Sequence, residues 1–286
     1  MTWDKAEIDR ELVKRLASEY NIDLLPAAIL ARRGVTEGAT LAYYLEEDPQ
    51  YLHNPFLFED MEDAVDRITT AVSEGEKVLV FGDSDVDGVT ATTLMVKTLE
   101  ELGLDVSWRV PMGEEPYGLT TEAVESFAAE DGTLVVTVDS GISNTEEIAR
   151  ANELGVDVIV TDHHNPQEEL PPALALINPK LPDTPYPFSG LCGCAVASKL
   201  RWALHFAQTD FYKQQLCLVH ARPGNDTVII DAVRLENMVE VDRMSESLVP
   251  GMVRLEDTKF AEFVSGQHVI CYEEETQARL MLQVFG

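Results

Sequence analysis

Three aspartates at alternate positions, Asp83, Asp85 and Asp87, follow the apolar run Val78–Phe81 in the stretch KVLVFGDSDVDGVTATT. Carboxylates at this spacing aim hard oxygen donors into one small volume, as a divalent-cation site requires, and Gly88 supplies a tight turn. The same D-x-D-x-D-G string opens an EF-hand calcium loop. That loop needs a bidentate glutamate at its twelfth position, which counted from Asp83 is Leu94, and it is entered from a helix, so the sequence argues against it. Alone, the string also suits a solvated acidic turn. Two more apolar runs end on similar chemistry: Asp139 in VDSG, and Asp162, His163 and His164 in TDHH. Carboxylates mixed with imidazoles suit manganese or a similar divalent ion. His163, beside Asp162 at a strand end, is expected as a ligand.

The elements that must position these residues are legible as an alternation. Strand-like runs lie at Val78–Phe81, Val106–Val110, Leu134–Val138, Val156–Val160 and Leu174–Ile177, with helical spacing near Val89–Leu102, Thr121–Ala129 and Thr145–Leu154. Strands with crossover helices imply an α/β fold, a doubly wound, mostly parallel five-stranded sheet. Ligands of such sheets sit beyond the carboxyl ends of the strands, where all three acidic motifs fall. No G-x-G-x-x-G follows the first strand, which disfavours a dinucleotide site.

Helical patterns precede the sheet at Lys5–Tyr20, Leu24–Ala31 and Asp60–Val72, with a loop at Tyr51–Phe56; Arg32 and Arg33 are expected to cap a helix end. After Thr209, short strands are expected at Leu216–His220, Val228–Leu235, Met238–Val241, Met252–Leu255 and His268–Tyr272, with a helix at Glu274–Val284. The expected domains are a helical segment over 1–75, the sheet domain over 76–209 and a smaller α+β module over 210–286 that ends incomplete.

Fifty-one acidic against 21 basic residues give a formal charge of −30, which repels polyanions at long range. Any nucleic-acid site must therefore be local, with cations reversing the field. Such acidity suits a salt-rich interior, where screening lowers self-repulsion. Cys192, Cys194, Cys217 and Cys271 form no C-x-x-C pair, which suits a reducing cytoplasm, and Cys192 and Cys194 read as small packing residues. No apolar stretch approaches the roughly 20 residues needed to span a bilayer.

GDSDVDG, VDSG and TDHH, in this order, resemble motifs I, II and III of the DHH phosphoesterase superfamily. The flanking ARRG, HNPFLFEDMEDAVDRI, PYGL, INPK and YPFSGLCGCAVASKL narrow the resemblance to the RecJ family of single-stranded-DNA-specific exonucleases. The resemblance implies a hydrolase with two Mn2+ (or Mg2+) ions that removes nucleotides from the 5′ end of single-stranded DNA in repair and recombination. It implies Asp85, Asp87, Asp139 and His163 as ligands, and Asp83 as a ligand or the support of one. It further implies His164 at the scissile phosphate and Asp162 orienting an imidazole. Arg109, Tyr117, Lys199 and Arg201 are candidate substrate contacts, and a helicase or single-strand-binding protein a candidate partner. The chain departs from the family in lacking a fourth acidic motif, for which Asp231 is the nearest candidate, and a C-terminal substrate domain. Two alternatives stay open: a phosphodiesterase acting on short oligonucleotides or cyclic dinucleotides, and an inert scaffold of the same fold.

Overall fold

Runs rich in Val, Leu and Ile form five strands: β1 (Lys77–Gly82), β2 (Asp105–Arg109), β3 (Gly132–Val138), β4 (Asp157–Thr161) and β5 (Ala175–Ile177). The computed structural model describes residues 7–46, 51–113 and 115–286. The strands pair in the order β2-β1-β3-β4-β5, every pair parallel. Val78, Val80, Leu134, Val136 and Val138 project into one apolar layer with helices α4 (Met61–Glu74), α5 (Val86–Glu101) and α8 (Gly193–Ala207). Leu79, Phe81, Val135, Val158 and Val160 project into the opposite layer, against α6 (Thr121–Ala129) and α7 (Thr145–Glu153). Burial on both faces explains why these strands are continuous apolar runs rather than alternating ones. The chain leaves β1 toward β2 on one side and resumes at β3 on the other. That change of direction opens a crevice at the carboxyl ends of β1 and β3, the usual ligand position of this topology.

The chain divides into two compact units, Met1–His53 and Asn54–Gly286. The first contains α1 (Arg10–Glu19), α2 (Leu24–Arg32) and α3 (Gly38–Leu45) around Val13, Leu16, Ala27, Leu30, Val35 and Leu41. Asp9 caps α1 by accepting from the amides of Glu11 and Leu12, so the first helix begins after the expected Lys5, which lies outside the described residues. Arg32 ends α2 and Arg33 is its cap residue.

A second sheet lies in the other unit: β6 (Gln215–Pro223), β7 (Val228–Glu236), β8 (Val239–Leu248) and β9 (His268–Cys271), in the order β8-β7-β6-β9. Helices α9 (Lys259–Val264) and α10 (Glu274–Phe285) cover one face. Asn237 and Met238 both take positive φ in the β7–β8 turn, so the expected strand at Met238–Val241 begins one residue later and runs to Leu248. The expected strand at Met252–Leu255 does not form: Gly251 turns with φ +71° and a 3-10 turn follows at Leu255–Asp257. No helix of the described residues is long and apolar enough to cross a membrane.

Candidate metal centre

The acidic string after β1 folds into the start of α5. Asp85 is the helix N-cap and accepts from the Gly88 amide at 2.9 Å, which satisfies one of the free donors of the first turn. Asp87 lies inside that turn, where negative charge is favoured. Its carboxylate crosses to α8, accepting from the amides of Gly193 at 2.7 Å and Cys194 at 2.8 Å. Burial pushes Asp87 upward, but those two amides, the Cys192 thiol and His163 outweigh it and hold the carboxyl below its ordinary range.

Asp139, directly after β3, takes φ 56°, a left-handed conformation that an aspartate tolerates better than most residues and that turns its side chain back over the strand ends. It is 1% exposed, and its Oδ1 is buried without a hydrogen-bond partner. Desolvation, reinforced by Asp87 and Asp85, raises its carboxyl to about 7. A side chain at Gly193 would overlap this carboxylate, so the start of α8 reaches Asp139 only because residue 193 is glycine.

After β4, Asp162 organises the third motif. Its Oδ1 accepts from the amides of His163 at 2.7 Å and His164 at 3.1 Å, and its Oδ2 from Ile142 at 3.0 Å, tying the loops beyond β3 and β4 together. His163 Nε2 lies 3.1 Å from Asp139 Oδ1 and 3.7 Å from Asp87 Oδ2. His164 Nδ1 lies 2.8 Å from Asp162 Oδ1, which leaves Nε2 directed outward. The Tyr117 hydroxyl donates to the Asp139 carbonyl at 3.3 Å and sits 3.2 Å from His164 Nδ1. Burial, with the surrounding carboxylates, pushes its pKa well up, so the hydroxyl stays a donor. Buried Asn178 donates to the His164 carbonyl at 3.0 Å. Asn144 clasps both backbone groups of Leu119 and so fixes the segment that carries Tyr117.

Two donor groups result, each with its ligand atoms within 4.8 Å of one another: Asp83, Asp85 and Asp139, and Asp139, His163 and His164. They share Asp139. Its buried Oδ1 accepts no hydrogen bond although His163 Nε2 lies 3.1 Å away, and a desolvated carboxylate common to both donor groups is one that would help to hold two cations. The residues fit a pair of divalent ions.

The remaining expected residues have partners of their own. Both Asp87 oxygens serve the α8 amides, and Asp87 belongs to neither donor group. Arg201 binds the Thr98 hydroxyl at 2.8 Å and Glu101 at 3.1 Å, at the far end of α5. At about 1.5 Å per residue, Thr98 is roughly 18 Å from the helix start, and there Arg201 ties α8 to α5. Lys199 is buried against Trp202 and Tyr186 in the α8 layer, its ammonium lowered by desolvation to about 8. Arg109 is half-exposed and paired with Glu115 at 3.0 Å. Asp231 lies in β7 and binds Arg222 at 3.1 Å, part of the second sheet. Cys192 is an exposed N-cap of α8 whose thiol donates to Asp87, not a packing residue. The α8 amides, Asn144 and Asn178 carry no sequence signal of their own; the clue to the first was the glycine in GLCGC.

Residues 77–221, just over half of the chain, match the family model described as DHH family, N-terminal domain. The chain belongs to the DHH family. This DHH chain is 39% identical over 205 residues to the single-stranded-DNA-specific exonuclease RecJ of Bacillus subtilis (strain 168), covering 71% of this chain and 26% of that protein. It is 37% identical over 237 residues to RecJ of Salmonella typhimurium, covering 81% of this chain and 40% of the other. Its fold is similar to RecJ in complex with Mn2+ from Thermus thermophilus, with a TM-score of 0.52 and 30% identity over 69% of this chain and 27% of that one. The DHH chain thus spans about a quarter to two fifths of the length of these relatives.

Proposed function

We propose that this chain carries the catalytic module of a two-metal phosphodiesterase that removes nucleotides from the 5′ end of single-stranded DNA. The observation that supports this most is Asp139, which is common to both donor groups and whose buried Oδ1 accepts no hydrogen bond. Paired Mn2+ or Mg2+ ions would lower the pKa of water and neutralise the charge that develops on the phosphoryl oxygens. Asp83, Asp85, Asp139 and His163 would hold the ions. Asp87 links α5 to the α8 amides beside Asp139 and His163. His164, oriented by Asp162, meets the scissile phosphate and passes a proton to the leaving oxygen; Tyr117 steadies that imidazole.

Single-stranded DNA as substrate rests on the relatives, which are single-stranded-DNA-specific exonucleases. The same reading implies partners that expose or hand over single strands, a helicase or a single-strand-binding protein, and a place in the cytoplasm. A manganese-dependent assay on 5′-labelled single-stranded DNA tests it, with a dinucleotide as the competing substrate. Cleavage of the long strand by the native chain and none by Asp139→Ala is the expected result; equal cleavage by both would sink it.

A further inference from the structure

A groove of about 320 Å³ lies along the open edge of the sheet, between one stripe of α5 and strand β2. Val89, Thr93, Val96, Lys97 and Glu100 line one wall, Trp108 and Val110 the other. Val89 lies one helical turn from Asp85, so the groove opens beside the donor carboxylates. Trp108 pairs with Val80, three residues before Asp83, which puts its backbone roughly 10 Å from the first acid at the usual rise per strand residue. The large apolar groups here are unusually bare: Trp108 is 62% exposed, and Val86, between Asp85 and Asp87, is 81% exposed. An indole left open on an edge strand offers a flat face on which no ring of the described residues stacks.

We propose that Trp108 and this groove form a nucleobase subsite that holds the single strand beside the cleaved bond, the base stacked on the indole and Lys97 meeting a backbone phosphate. This rests on the nuclease reading above and extends it to strand recognition. The charge of the chain supplies the physical reason. A molecule with formal charge −30 repels DNA at long range, so its grip needs local contacts, among them some that do not depend on the field. Base stacking on an aromatic ring is such a contact, and it is indifferent to sequence because every base has a π-face. Lys97 makes no ion pair with any described residue and is free to meet a phosphate.

The test is fluorescence anisotropy of the full chain with a labelled 5′-phosphorylated oligonucleotide in EDTA, using intact and abasic strands. Trp108→Ala is expected to weaken binding of the intact strand roughly 5- to 150-fold, the range spanned by base–aromatic stacking. Trp108→Phe keeps most of the affinity. The abasic strand binds the native chain as weakly as the intact strand binds Trp108→Ala, and the two losses do not add. Additive losses, or an intact affinity in Trp108→Ala, overturn the proposal; the second is also the result expected of a groove that takes a peptide. Unaltered Mn2+ binding by Trp108→Ala verifies that the site is folded. A native chain that bound oligonucleotide through Trp108 yet never cleaved it would instead strike at the nuclease reading.

Discussion

Asp139 makes the metal-free protein less stable than it could be, and Asp139→Asn should reveal by how much. Desolvation and the neighbouring carboxylates raise this carboxyl from an ordinary 3.8 to about 7. A carboxyl with a raised folded pKa binds its proton more tightly in the native state. Its stabilising protonation is therefore complete below about pH 4 and is lost as pH rises through 7. At about 1.4 kcal/mol per tenfold, the penalty at pH 8 is on the order of 4 kcal/mol. An asparagine removes the charge but must place an amide beside His163, so a gain of about 2–4 kcal/mol is expected in EDTA at pH 8, falling below about 1 kcal/mol at pH 4. For a unit of this size that is roughly 2–4 °C per kcal/mol, readable by calorimetry. The same variant should lose Mn2+ binding. A variant no more stable than the native chain at pH 8, or a gain unchanged at pH 4, would refute the claim that the site stores electrostatic strain which cations relieve.

Gly193→Ala should be damaging although it adds one methyl group: the Cβ overlaps the Asp139 carboxylate, so about 1–3 kcal/mol is lost in a urea titration together with metal affinity, and a silent substitution would deny the close approach of α8. Added salt should raise the melting temperature, because the Debye length falls from about 30 Å at 0.01 M to about 3 Å at 1 M and screens the −30 charge; a flat or falling curve would contradict this.

The sheet and its acidic rim were legible because both are written locally. Buried parallel strands are apolar runs, and the motifs sit directly after Phe81, Val138 and Thr161, so strand ends and donors are read together. What escaped depends on contacts between distant residues. Asp87 counts as a ligand by spacing, yet it meets amides 106 and 107 positions away, and nothing near Asp87 announces them. Arg201 resembles a phosphate contact until α5 is seen to carry its partners, Thr98 and Glu101, to the other end of the helix. The α3 helix carries little signal of its own, because GATLAYYL is short and begins with glycine, a poor helix former. Met252–Leu255 has strand-forming residues but no neighbouring strand to pair with, and pairing rather than propensity makes a strand.

Anomalous diffraction at the manganese edge from crystals of this chain grown with Mn2+ addresses the centre of the account most directly. Two peaks roughly 3.5–4 Å apart, with Asp139 touching both, are predicted, the first among Asp83 and Asp85 and the second beside His163. A single peak, or two peaks of which neither contacts Asp139, would contradict it.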